Sequence, residues 1–301
     1  MKKILIVADE PGWVFERHAW EIRKRLPEFT IDIAFRNQHI PQMAQDYDLV
    51  YVMDPIPLRH GYPPQEKILL GLRCEFLYEE HPDGAKGLYQ HGFPGRCASI
   101  SDRCKALHVV NRNQVEVMKD VVTDKPLYLA QHGIDESLFC KEFDRDYDYR
   151  KIRVGTAGRA SRIKGFNLIQ QACAMADAEF CAAIYGATKI SKEGMPNYYG
   201  SLDVYVCMST SEGLNNGTME AGATGLPVVS TRVGAAPEMI RHGENGFLVD
   251  RDVENLSDAL IELRDGALRK KFGEEMKEEI SANWTWEKRI EDFRKMFNEL
   301  T

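Results

Sequence analysis

The feature that most constrains this chain is a rhythm. Short apolar runs alternate with longer amphipathic stretches, and the series runs through twice. Ile4–Val7 is the first run, followed by a helical pattern over Phe15–Leu26. Ile31–Phe35, Leu49–Met53, Glu75–Tyr78, Leu107–Val110 and Leu127–Ala130 come next. Runs this short read as strands, and strands separated by helical patterns predict a doubly wound parallel sheet. The stretch Asp144–Arg150 is polar and lacks an apolar face, so it reads as a linker. The rhythm restarts with Ile152–Gly155, Phe180–Tyr185, Val204–Met208 and Pro227–Ser230. The expected organisation is α/β throughout: one Rossmann-like domain over residues 1–145 and a second, compact one over 151–283. A final helix over 284–301 carries Trp286, Ile290, Phe293 and Phe297 on one face and is expected to cross back to the N-terminal domain. Two such domains predict a central cleft between two sets of strand C-termini, where ligands of doubly wound sheets bind.

A chain of 301 residues, 44% hydrophobic, can supply a core for each domain. The net charge of −7 gives no general attraction to nucleic acid or anionic membrane. No apolar run reaches the roughly 18 residues of a membrane span. Met1-Lys2-Lys3 runs into Ile4-Leu5-Ile6-Val7 and then Ala8-Asp9-Glu10, an apolar run too short for a signal peptide. The seven cysteines are scattered and form no CxxC pair, which suits a reducing cytosol, so a cytoplasmic protein is expected. Asp-x-Asp occurs at Asp46/Asp48, Asp144/Asp146/Asp148 and Asp250/Asp252, beside no nucleotide loop. These read as solvated acids, and no metal site is expected.

Two loops carry the chemistry. Val154-Gly155-Thr156-Ala157-Gly158-Arg159 ends a strand in a glycine turn, and Arg162 and Lys164 follow. Gly158 lets the backbone approach a ligand, and Arg159 and Lys164 are placed to face a diphosphate. After the strand Val204–Met208 comes Ser211-Glu212-Gly213-Leu214-Asn215-Asn216-Gly217-Thr218-Met219-Glu220. Asn215, Asn216 and Gly217 are turn and N-cap residues, so a helix is expected to start near Gly217 with its amides open to an anion. Glu212 and Glu220 beside such a site point to recognition of hydroxyls around a phosphate.

The segment Glu212–Glu220, continued by Ala221-Gly222-Ala223-Thr224-Gly225-Leu226-Pro227-Val228-Val229, resembles the EX7E signature of the retaining family-4 glycosyltransferases. Val233–Ile240 and Gly243–Val249 look like the same family's closing elements, as do Gly158-Arg159 and Lys164-Gly165. His132-Gly133-Ile134-Asp135 with Phe139 is similar to the turn that closes the family's N-terminal domain. The resemblance is specific from about Leu127 to Val249 and implies the GT-B fold. It implies a nucleotide-diphosphate-sugar as donor substrate, no cofactor and no metal. Arg159 and Lys164 then contact the donor diphosphate, Glu212 the donor sugar and Glu220 the ribose. The N-terminal domain would hold the acceptor and the C-terminal domain the nucleotide-sugar.

Three departures stand out. Asn215 replaces a common glycine, and asparagine tolerates a left-handed backbone. His132 replaces an asparagine. The stretch from Tyr185-Gly186 to Leu202 is short by one strand–helix unit, the unit whose loop holds the base in the family. In the N-terminal half His81 is the candidate for positioning the sugar or acceptor, with His91 its rival. Gly12, in Pro11-Gly12-Trp13, stands where the family has a glycine-rich loop near phosphate or acceptor. The function expected is sugar transfer with retention to a glycan, small-molecule, lipid-linked or modified-DNA acceptor. An epimerase or phosphorylase on the same scaffold and a non-catalytic nucleotide-sugar-binding subunit are the alternatives. Donor base and oligomeric state stay open.

Overall fold

The computed structural model describes residues 1–53, 65–72, 103–120, 122, 124–147 and 151–301. The expected strand Glu75–Tyr78, His81 and His91 lie outside the described residues. The chain divides into two compact units: Met1–Gly133 with Trp286–Thr301, and Ile134–Thr285.

In the first unit β1 (Lys3–Ala8), β2 (Thr30–Phe35), β3 (Leu49–Val52), β4 (Ile68–Leu72), β5 (Ala106–Val109) and β6 (Leu127–Leu129) form one sheet. Its order is β2-β1-β3-β4-β5-β6 and every pairing is parallel. α1 (Val14–Arg25) follows β1, α2 (Ile40–Met43) follows β2 and α3 (Arg112–Met118) follows β5. Ile4, Leu5, Ile6 and Val7 are all buried, which explains an unbroken apolar run: a parallel strand is covered on both faces.

The second unit opens with α4 (Glu136–Phe139). Its strands are β7 (Arg153–Gly158), β8 (Glu179–Ile184), β9 (Val204–Cys207), β10 (Val228–Ser230) and β11 (Gly246–Leu248). They pair in parallel in the order β11-β10-β9-β7-β8. The helices are α5 (Phe166–Met175), α6 (Met195–Gly200), α7 (Asn216–Ala223), α8 (Ala236–Met239), α9 (Val253–Glu262) and α10 (Gly266–Asn283). Ile169, Leu256 and Leu260 pack on one face of the sheet, and Met219, Met276 and Ile280 on the other. Only a 3-10 turn, Lys192–Gly194, and α6 lie between β8 and β9, so the connection is as short in space as in sequence.

The last helix, α11 (Trp286–Leu300), belongs to the first unit. Its stripe Trp286, Ile290, Phe293, Met296, Phe297 and Leu300 is buried against Ile22, Leu26 and the sheet residues Ile4 and Tyr51. Burying such side chains contributes about 1.5–3 kcal/mol each as an upper bound.

Residues 144–147 of the polar stretch are integral to the second unit. The Arg145 guanidinium donates to the carbonyls of Leu202 at 2.6 Å and Thr224 at 2.9 Å, just past the C-terminal ends of α6 and α7. A cation there satisfies carbonyls that a helix end leaves unpaired and complements the helix dipole. The contact division falls between Gly133 and Ile134, ahead of the polar stretch.

Candidate functional site in the second unit

The chain runs from β7 to β8 on one side of β7, then returns to β9 on the other. The order reverses between β7 and β9, and the crevice at such a switch point is where doubly wound sheets bind ligands. The loops that leave β7 and β9 are the two the sequence singled out.

A backbone bond joins these loops. Thr210 N donates to Ile163 O at 2.9 Å, and from the loop after β10 the Thr231 side chain adds a bond, its Oγ1 donating to Ser209 O at 2.7 Å. Gly165, between the 3-10 turn Arg162–Lys164 and α5, has φ +67°. A Cβ there would lie 2.5 Å from Met208 O, so both the left-handed backbone and the close approach require glycine. Arg251 completes the tie, its Nε donating to Met208 O at 2.8 Å and its Nη2 to Arg162 O at 2.6 Å. Partial burial among carbonyls lowers the Arg251 pKa from its ordinary value.

This frame brings Lys164 to Glu212. The Lys164 ammonium is hydrogen-bonded and ion-paired to Glu212 Oε1. The same oxygen accepts the Ser209 hydroxyl at 2.6 Å. The Glu212 side chain is 13% exposed and that of Lys164 30%, so the pair lies at the rim of solvent. Arg159 is exposed beyond Gly158 (φ +142°), its guanidinium 5.4 Å from the ring centre of Tyr185 at the end of β8.

Past Glu212 the chain turns into α7. Asn215 is the N-cap at φ +59°, the left-handed conformation its residue type tolerates, and its side chain accepts from Thr218 N at 3.3 Å. Asn215 Nδ2 also donates to Cys207 Sγ at 3.1 Å. The helix begins at Asn216, one residue before the expected start. Gly217 lies in its first turn, where a Cβ would come within 2.0 Å of the Tyr205 hydroxyl. Gly234 approaches from the β10 side at φ +53°, and a Cβ on it would sit 2.2 Å from Gly213 O. Glu220, one turn into α7, accepts the Tyr199 hydroxyl on Oε2 at 2.8 Å.

The second unit thus gathers Gly158, Arg159, Lys164, Glu212, Asn215, Asn216, Gly217 and Glu220 on the loops after β7 and β9 and the helix they lead into. Gly12 is in the first unit, in the turn before α1, with φ +81° and its amide donating to Glu16 Oε2 at 2.5 Å. His132, also in the first unit, stacks on His18 with ring centres 3.8 Å apart. Asp252 caps α9 by accepting Asn255 N at 2.7 Å, and Asp48 accepts Lys3 N at 2.8 Å. No group of three or more His, Cys, Asp or Glu that could hold a metal occurs among the described residues. Ser209, Tyr199 and Arg251 were not singled out in the sequence. Only Ser209, two residues past β9, carried a signal by position.

Two doubly wound parallel units are the ingredients of the GT-B fold, and comparison with solved structures confirms it. Sucrose-phosphate synthase from Thermosynechococcus elongatus superposes with a TM-score of 0.80 over 100% of this chain and 99% of that one, at 16% identity. Anabaena HepE in complex with UDP and glucose superposes at 0.75 over 99% and 100%, at 14% identity. Residues 174–265 match the family of glycosyl transferases, group 1. A GDP-mannose-dependent alpha-(1-6)-phosphatidylinositol monomannoside mannosyltransferase of Mycobacterium tuberculosis is 32% identical over 109 residues, 33% of this chain and 28% of that protein. N-acetyl-alpha-D-glucosaminyl L-malate synthase of Bacillus anthracis is 31% identical over 97 residues, 32% of this chain and 26% of that protein. The aligned segments therefore span under a third of these curated relatives. Over these segments the chain is similar to glycosyl transferases of group 1.

Proposed function

We propose that the protein moves a sugar from a nucleotide-diphosphate-sugar to an acceptor hydroxyl, with retention and without a metal. The observation that carries this is the Lys164–Glu212 pair at the β7/β9 switch point, beside the Asn215-capped start of α7. One cation and one carboxylate held together there can separate their tasks when a donor enters. Lys164 and Arg159 turn to the diphosphate, and Glu212 is released to accept sugar hydroxyls. Glu220, one turn into the same helix, takes the ribose hydroxyls.

In the reaction the bond from the anomeric carbon to the diphosphate oxygen breaks, and a bond to the acceptor oxygen forms. The acceptor's proton passes to the departing diphosphate, on the face from which the acceptor attacks. Charge builds on the leaving group, and preorganised cations and helix amides stabilise it as it develops. The acceptor proposed is a lipid-linked or small hydroxyl compound. The names of the relatives support this, since they include a phosphatidylinositol mannoside and a malate product.

The test is calorimetry after a thermal-shift screen of nucleoside diphosphates and their sugars. Glu212→Gln should weaken the intact donor by about one to two decades, the worth of a charged hydrogen bond, and leave the free diphosphate nearly unchanged. Equal loss of both ligands would show that Glu212 does not read the sugar.

A further inference from the structure

Glu220 is held in part from outside its own helix. It leaves α7 one turn from the N-cap, and a glutamate side chain there samples several rotamers unless something fixes it. One hydrogen bond that fixes it comes from α6. Tyr199 is fully buried, and its hydroxyl reaches across to Glu220 Oε2 at 2.8 Å. The Tyr199 ring is itself clamped, lying 5.7 Å from the Tyr205 ring, 6.3 Å from Phe139 and 5.4 Å from Tyr198 between centres.

The support continues outward. The hydroxyl of the neighbouring Tyr198 lies 2.8 Å from Thr156 O and 2.7 Å from Cys181 O, which fixes α6 to β7 and β8. Arg145 holds the C-terminal end of the same helix through Leu202 O. The short β8–β9 connection therefore has a task. With no extra strand–helix unit between them, α6 lies against the site, and the residue it contributes is Tyr199. Burial, and after it the charge of Glu220, raises the tyrosine pKa well above its ordinary value, so the hydroxyl remains a donor.

We infer that Tyr199 is a positioning residue for ribose recognition, its hydrogen bond to Glu220 orienting the carboxylate toward the ribose diol. This rests on the proposed role of Glu220, and the experiment separates the two. A carboxylate that already accepts one fixed hydrogen bond loses less freedom when it binds a diol than an unfixed one. Tyr199 thereby acts on the ribose without touching it.

The probes are UDP and GDP, whichever binds, each paired with its 2′,3′-dideoxy analogue. The readout is the ratio of their dissociation constants. Tyr199→Phe removes one oxygen and keeps the ring. It should weaken the ribonucleotide about 5- to 10-fold, leave the dideoxy form unchanged and so shrink the ratio. The double variant Tyr199→Phe/Glu220→Gln should show the ratio of Glu220→Gln alone, because the tyrosine acts through the carboxylate. A merely structural tyrosine would weaken both nucleotides alike and add to the effect of Glu220→Gln.

If Glu220→Gln collapses the ratio and Tyr199→Phe does not, the inference is wrong and the ribose reading stands. If Glu220→Gln leaves the ratio intact, both are wrong. Should Tyr199→Phe not fold, Glu220→Asp supplies the second arm. Its shorter chain cannot span tyrosine and ribose together, so the ratio must fall towards that of Glu220→Gln. A native ratio in Glu220→Asp overturns the inference.

Discussion

Lys164→Met tests the heart of the site. The substitution keeps most of the side chain's length and removes its charge. In the native protein the ammonium is paired with Glu212 Oε1, and the two side chains are only 30% and 13% exposed. With methionine at 164, Glu212 keeps the Ser209 hydroxyl at 2.6 Å but loses the cation. A diphosphate entering the β7/β9 crevice then loses a charge-assisted contact worth about 1.5–3 kcal/mol. It also meets a bare carboxylate. Unit charges ~5 Å apart at an effective dielectric near 20 repel by about 3 kcal/mol. Solvent at the rim takes back part of that, so the sum comes to about 3–4 kcal/mol, or two to three decades in the affinity for free nucleoside diphosphate. Lys164→Met/Glu212→Gln removes the repulsion and should recover one to two of those decades. Calorimetry on the single and double variants with the same diphosphate measures both effects. A double variant as weak as Lys164→Met, or a single variant that binds like the native protein, refutes the electrostatic argument.

Three further outcomes follow from the same structure. Gly234→Ala should destabilise the protein by a few kcal/mol, since its φ is +53° and its Cβ would strike Gly213 O at 2.2 Å. Gly243→Ala, at φ +80° in open space, should cost only about 1 kcal/mol in the same urea titration. Transfer should persist in EDTA, and complete loss restored by manganese or magnesium would show a metal at work. Tyr199 and Tyr205 have pKa values raised well above the ordinary value by burial, so their stabilisation is full below about pH 10. Above that the unfolded chain loses its phenolic protons first. Melting temperature should therefore fall steeply as pH rises, and a flat profile to pH 11 would contradict their burial.

The strand pattern was legible wherever a buried run was long and clean, as in Ile4–Val7 and Val204–Met208. It failed at β4, where Gly71 interrupts Ile68–Leu72. A Cβ on Gly71 would lie 2.8 Å from Met53 O, so the residue that hid the strand is the one that lets it approach β3. β11 is three residues long, too short for any periodicity, and was visible only as part of a family-like segment. The loops after β7 and β9 were legible because glycine, cation and N-cap residues have local signatures. Their pairing was not, since Lys164 and Glu212 are 48 residues apart in sequence. Arg145 was hidden for another reason. In a run of Asp, Tyr and Arg it looks solvated, and only the carbonyls of α6 and α7 reveal that it caps two helices.

Arg251 carries a consequence for kinetics. It anchors its charge on Met208 O and Arg162 O, two carbonyls in the loops proposed to receive the diphosphate. Such a charge adds to the potential that an approaching anion feels before any contact forms. It belongs to the encounter rather than to the bound state. Stopped-flow association of a nucleoside diphosphate should slow in Arg251→Met and lose part of its dependence on ionic strength, because the attraction that salt screens has been reduced at its source.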